Sequence, residues 1–144
     1  MKRLLMVLIL VITITTGFAF KYEAGTRYTP PQKSREELYQ DLFISLLSPE
    51  NDKAIDEYYQ NFLTSLPTVY PYDVYVEKAE RIGEYRRFEF TVIIKVHPVV
   101  GPHINVGLDR IIFYIDGSGN VELRKFEHIR DYELPDHWKH ILKN

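Results

Sequence analysis

Residues 88–115 read FEFTVIIKVHPVVGPHINVGLDRIIFYI, and their periodicity decides the fold class. Phe88, Phe90, Val92, Ile94 and Val96 alternate with Glu89, Thr91 and Lys95, a period of two that lays one apolar face on a core and turns a more polar face outward. Ile93 interrupts the polar face, which is therefore expected to be partly covered. After the loop His97-Pro98-Val99-Val100-Gly101-Pro102-His103, the run from Leu108 to Asp116 alternates again: Ile111, Phe113 and Ile115 on one side, Arg110, Ile112 and Tyr114 on the other. Two such runs joined by a proline-bounded loop predict neighbouring strands.

Working outward, Tyr72, Val74 and Val76 alternate with Asp73, Tyr75 and Glu77 in an earlier strand. Downstream, Asp116-Gly117-Ser118-Gly119-Asn120 predicts a turn with two residues free to take positive φ, and a fourth strand from Val121 to about His128 completes an antiparallel meander. Ahead of the strands, Ser34-Arg35-Glu36-Glu37 has the form of a helix capping box. Leu38, Leu42, Phe43, Leu46 and Leu47 follow at helical spacing. Ser48-Pro49-Glu50 predicts a stop and a second start, because proline suits the first position of a helix and not its interior. Ala54, Ile55, Tyr58, Tyr59, Phe62 and Leu63 form the stripe of that second helix, ending near Ser65-Leu66-Pro67. The expected architecture is α+β, two N-terminal helices packed on a four-stranded antiparallel meander. Its order is similar to cystatin-like and NTF2-like folds, an analogy of architecture that carries no activity. Residues Pro135 to Leu142 are expected to be a short terminal helix or a tail laid on the sheet.

The chain opens MKRLLMVLILVITITTGFAF, with Lys2 and Arg3 before an uncharged apolar run ending at Gly17 and Ala19. This is the pattern of a secretory signal peptide, read over residues 1–19 with cleavage after Ala19. The alternative is an N-terminal membrane anchor, which would be the chain's one attachment to a membrane. Residues 20–33, rich in polar residues with Gly25, Pro30 and Pro31, read as a linker, and residues 34–144 as a single α+β domain. Either reading of the N-terminus places the domain outside the cytoplasm, secreted or on the outer face of the cell envelope. Removing residues 1–19 takes away two cations and no acid, leaving 16 Lys plus Arg against 20 Asp plus Glu, a net charge near −4. That excess argues against nucleic acid as a partner. The absence of cysteine excludes disulfides, thiol chemistry and a lipid-modified cysteine.

Between Phe88 and Ile115, the strand ending before Gly101-Pro102-His103, then Asn105 and Gly107, then the aromatic-aliphatic strand, resembles a family of short secreted proteins of Gram-positive spore-forming bacteria known as domain of unknown function 3888. The resemblance extends in organisation from Leu38 to His128. It implies a secreted domain and supplies no chemistry.

His97 and His103 sit six residues apart in a loop, where no fixed geometry forces them to converge. With His128 or Asp109 they could in principle hold zinc, but the simpler reading is that these residues serve loop architecture, with His103 or Asn105 satisfying loop backbone. Asp116, Ser118 and Asn120 have the alternate spacing that opens a calcium loop, but the glycines and the closing acid fall in the wrong places. Glu127 and His128 are adjacent on a strand and point to opposite faces, so they cannot act as a neighbouring acid and base. No serine lies in a nucleophile elbow. His97, Gly101, His103, Asn105, Gly107 and His128 are therefore read as a ligand-binding set on the loop and its flanking strands, with no catalytic residue, metal or cofactor assigned. The expected function is a noncatalytic binding or interaction module for a protein, peptide or envelope ligand. The alternatives are a metal-assisted enzyme using the loop histidines and a small secreted inhibitor or immunity-type partner.

Overall fold

The computed structural model describes residues 29–143. The expected signal segment, residues 1–19, and residues 20–28 of the expected linker therefore lie outside the described residues. One helix, α1 (Arg35–Tyr59), precedes six strands: β1 (Val74–Arg81), β2 (Phe90–Val96), β3 (Val99–Val100), β4 (Ile104–Asn105), β5 (Gly107–Ile115) and β6 (Val121–Asp131). A final 3-10 helix spans Asp136–Ile141.

Ser34 starts α1 as expected, its hydroxyl accepting from the Glu37 backbone N–H at 3.0 Å. The Glu37 carboxylate reaches back one residue further than a standard box, to the Lys33 backbone N–H. The two-helix expectation is overturned, because Pro49 lies inside a continuous 25-residue helix. Proline removes one N–H and crowds the carbonyl four residues earlier, a local cost of about 3 kcal/mol. Ile44 and Leu47 before it, and Asn51, Ala54, Ile55 and Tyr59 after it, are all buried on one face. A single contact surface spanning the proline outweighs the missing bond. The Ser48 hydroxyl, expected to cap a new helix, instead donates back to the Ile44 carbonyl at 3.0 Å.

The first-half stripe is corrected as well. Leu47 is buried, but Leu38, Leu42 and Leu46 are exposed, Leu46 by 79 %. At 100° per residue these three lie across the helix from Ile44, Asn51 and Ile55, so the leucines form an outer apolar strip rather than a core face. The helix ends at Tyr59, before Phe62 and Leu63, where the Asn61 side-chain amide takes up the Glu57 and Tyr58 carbonyls at 3.1 and 3.0 Å.

The main sheet has the order β1-β2-β5-β6, antiparallel throughout, so the meander is as read from the sequence. Val92, Ile94, Val96, Ile111 and Phe113 form its inner face, buried with Ile44, Leu47, Ala54, Ile55 and Tyr59 of α1. The outer face carries a charge ladder running across all four strands. Glu77 bridges Lys95 at 2.8 Å and Arg110 at 2.7 Å, and Glu127 bridges Arg110 at 3.3 Å and Lys125 at 2.5 Å. This uses opposite charges as cross-strand pairs. The loop read as a turn between the two long strands folds into its own small hairpin, β3 with β4, tied to the chain after α1 by Thr68 and Val99, which exchange backbone bonds of 2.8 and 2.9 Å.

At the β5–β6 turn, Asp116 accepts from Ser118 N at 2.8 Å, Ser118 Oγ at 2.7 Å, Asn120 N at 3.1 Å and Asn120 Nδ2 at 2.8 Å. The oxygens that resemble the start of a calcium loop are spent on the turn itself. The Ser118 and Asn120 side-chain bonds, with the backbone bonds behind them, hold the Asp116 carboxyl well below its ordinary value of 3.8.

Two outcomes follow. Pro49→Ala restores a backbone donor within an intact helix, and denaturant unfolding should show a gain of up to about 3 kcal/mol. Because the folded Asp116 carboxyl ionises below its unfolded counterpart, its stabilisation is present above the unfolded pKa and is lost as pH falls through the folded one. The difference in melting temperature between the native chain and Asp116→Ala should therefore be constant near neutrality and shrink below about pH 4, where the unfolded carboxyl titrates.

Candidate functional site

The register of β5 against β6 places Asp109 directly opposite His128. Alternation along β5 turns Gly107, Asp109, Ile111 and Phe113 inward, so a carboxylate occupies a core position. Asp109 is fully buried. A charge so placed is strongly unfavourable unless partnered, and both of its oxygens are. Oδ1 lies 2.6 Å from His128 Nδ1, and Oδ2 accepts from the Tyr59 hydroxyl at 2.8 Å. Burial pushes the Asp109 carboxyl above 3.8, against the opposing pull of the His128 and Tyr59 hydrogen bonds. Burial and then the Asp109 charge push the Tyr59 phenol up, so that it remains a donor.

His128 Nε2 lies 3.0 Å from Asp131 Oδ1. Residues three apart on a regular strand face opposite sides, but the register shifts between the Leu108 and Asp109 pairings, leaving Ile129 as an extra residue. That bulge returns Asp131 to the face of His128, the kind of re-aiming for which strand bulges are used. The ring donates to both carboxylates only when doubly protonated. Protonated at Nδ1 alone, it keeps the Asp109 bond and gives up the one to Asp131. Tyr58 stacks over His128 at 5.1 Å and over Phe126 at 4.8 Å, so the imidazole is capped.

Gly107 makes the arrangement possible. A Cβ there would stand 2.0 Å from the Tyr59 hydroxyl oxygen and 3.0 Å from His128 Cε1. Gly101 has a parallel role, since a Cβ would lie 2.2 Å from the Trp138 indole, and its φ is +50°. Each of the two loop glycines thus receives an aromatic ring, one from the end of α1 and one from the C-terminal segment.

Beside this network opens a cleft of about 520 Å³. Tyr58 and Tyr59 at the end of α1, with Phe62 and Leu63 just after it, form one wall, the buried Val106 and Leu134 the floor, and Asp131, Tyr132, Glu133, Lys139 and Leu142 the far side and rim. The C-terminal segment is stitched to the post-helix chain rather than to the sheet: Thr64 N donates to Ile141 O and Lys143 N to Phe62 O, each at 2.8 Å. Tyr132 N donates to Val106 O at 3.1 Å and fixes the exit of β6.

The sequence-derived set divides three ways. Gly107 and His128 meet in the network. His97 packs edge-on against Tyr75 at 5.7 Å, and His103, at φ +61°, stacks on Tyr70 at 4.7 Å, its Nδ1 3.4 Å from the Tyr72 hydroxyl. Gly101 lies under Trp138, and Asn105 is exposed in β4. The three imidazoles thus have three different sets of neighbours, and among the described residues no group of three His, Cys, Asp or Glu side chains could hold a metal ion. Sequence reasoning missed Tyr59 and Asp131 and gave Asp109 only a place as a spare metal ligand. A charged residue at the inward phase of an apolar strand was the available signal.

The family model described as protein of unknown function (DUF3888) matches residues 39–130. The match spans well over half of the chain, which belongs to this family and takes from it no assigned activity. The matched span contains Tyr59, Gly107, Asp109 and His128 and ends just before Asp131. No curated protein and no solved structure matches.

Two substitutions probe the network together. Tyr59→Phe strips Asp109 Oδ2 of a donor and should cost about 1–3 kcal/mol in denaturant unfolding. Gly107→Ala should cost about as much by overpacking, but clearly less in the Tyr59→Phe background, where the oxygen it collides with is gone. Strict additivity of the two would show that the contact is not the constraint.

Proposed function

We propose that this member of a family without assigned activity is an extracytoplasmic binding module, exported by its N-terminal segment, that holds the apolar part of a ligand in the cleft and performs no catalysis there. The cleft carries the reading: four aromatic rings (Tyr58, Tyr59, Phe62 and Tyr132) surround an aliphatic floor, the composition usual for a small-molecule or peptide pocket. Its lining contains no serine, threonine or cysteine to serve as a nucleophile. The histidine of the adjoining network, His128, sits behind Tyr58 with both ring nitrogens facing carboxylates. The network therefore serves to fix the walls of the cleft. A ligand that enters meets rigid aromatic surface, at low entropic cost.

The test is saturable binding of an uncharged apolar fluorophore such as Nile red to the full chain, one per chain. Phe62 is half exposed, and its truncation leaves the core intact. Phe62→Ala should weaken binding about tenfold, the worth of roughly 1.4 kcal/mol of lost aromatic contact, with the melting temperature held. Lys95→Ala on the outer face should leave binding unchanged. Unsaturable binding, or equal binding by both variants, would reject the cleft as the site.

A further inference from the structure

Resting on that reading, we infer that the ligand of the cleft ends in an amine cation, a protonated or quaternary ammonium on a short aliphatic or aromatic stem. Three observations converge. The rim carries the Asp131 and Glu133 carboxylates against one ammonium, Lys139, leaving it one negative charge in excess. Both carboxylates reach water, their side chains 90 % and 87 % exposed, Asp131 while also meeting His128 Nε2 at 3.0 Å. The rings of Tyr58, Tyr132 and Phe62 line the same cleft, and aromatic faces attract cations through the negative potential above the ring.

The protein also supplies a cation of its own at this place. Lys139 Nζ lies 2.7 Å from Asp136 and 3.4 Å from Glu133. Asp136 and then Glu133 hold this ammonium above its ordinary pKa of 10.5, so it stays charged. The short bond is to Asp136, outside the cleft, and the long one is to Glu133, on its rim. An incoming ammonium can therefore take Glu133 while Lys139 remains seated on Asp136. Lys139 acts as a tethered competitor for the position.

Phenethylammonium and its uncharged isostere 2-phenylethanol, titrated into the full chain at low salt and followed by calorimetry, separate this inference from the reading beneath it. The cation should bind about tenfold more tightly than the alcohol, and the preference should fall as salt is raised. Glu133→Gln should reduce the preference to about threefold or less, and Lys139→Gln should tighten the cation about threefold without changing the alcohol. Equal affinity for the two probes would overturn the amine cation and leave the apolar cleft standing. Binding of neither would overturn both, and tighter binding of the alcohol would overturn the charge argument alone.

Discussion

The structure depends on one buried carboxylate. Asp109 sits where an aliphatic side chain would ordinarily complete the inner face of β5, and it is tolerated there because Tyr59 and His128 meet its two oxygens. Those partners come from the end of α1 and from β6, so satisfying the charge fixes where the helix stops against the sheet. Losing either partner exposes the full desolvation cost of the other groups, which is the asymmetry that makes buried networks specific. An Ile at position 109 would fill the volume without specifying the angle of Tyr59, and that ring is part of the cleft wall.

Two small devices complete the network around it. Gly107 leaves the space into which the Tyr59 hydroxyl projects, and the extra residue Ile129 turns Asp131 to the side of His128. Neither device contributes much burial, and both are geometric. The same loop meets a second ring at Gly101, where Trp138 brings the C-terminal segment into place. The cleft is thus assembled from α1, the β4–β5 junction, the exit of β6 and the chain terminus. Its two faces have different chemistry: aromatic rings from the end of α1 and the residues just after it, and charged groups of both signs from the end of β6 and the segment that follows. The outer face of the sheet, by contrast, closes its charges on one another in a ladder and leaves less to offer a ligand.

Residue-scale pattern in the sequence was enough for the α+β class, the four long strands and their meander order, the helix start at Ser34 and the hairpin turn at Asp116, because each depends on periodicity or on hydrogen bonds within a few residues. Pro49 was misleading for the converse reason: its local preference is real, but a face buried on both sides of it is a sum over many contacts that no local rule contains. Leu38, Leu42 and Leu46 show the same limit, since spacing identifies a stripe without saying whether it meets the core. The histidines were not placed by local pattern: His103, read as a partner for loop backbone, lies instead against Tyr70 and the Tyr72 hydroxyl, His97 packs on Tyr75, and the role of His128 was invisible. Its partner lies 19 positions away and is fixed by strand register, and Tyr59 lies 50 positions from Asp109. By itself the sequence determined the elements and their order, because backbone preference and hydrophobic period act over short range. The tertiary structure alone decided the network and its cleft, because they exist only where register, a bulge and two absent Cβ atoms bring distant side chains within hydrogen-bonding distance.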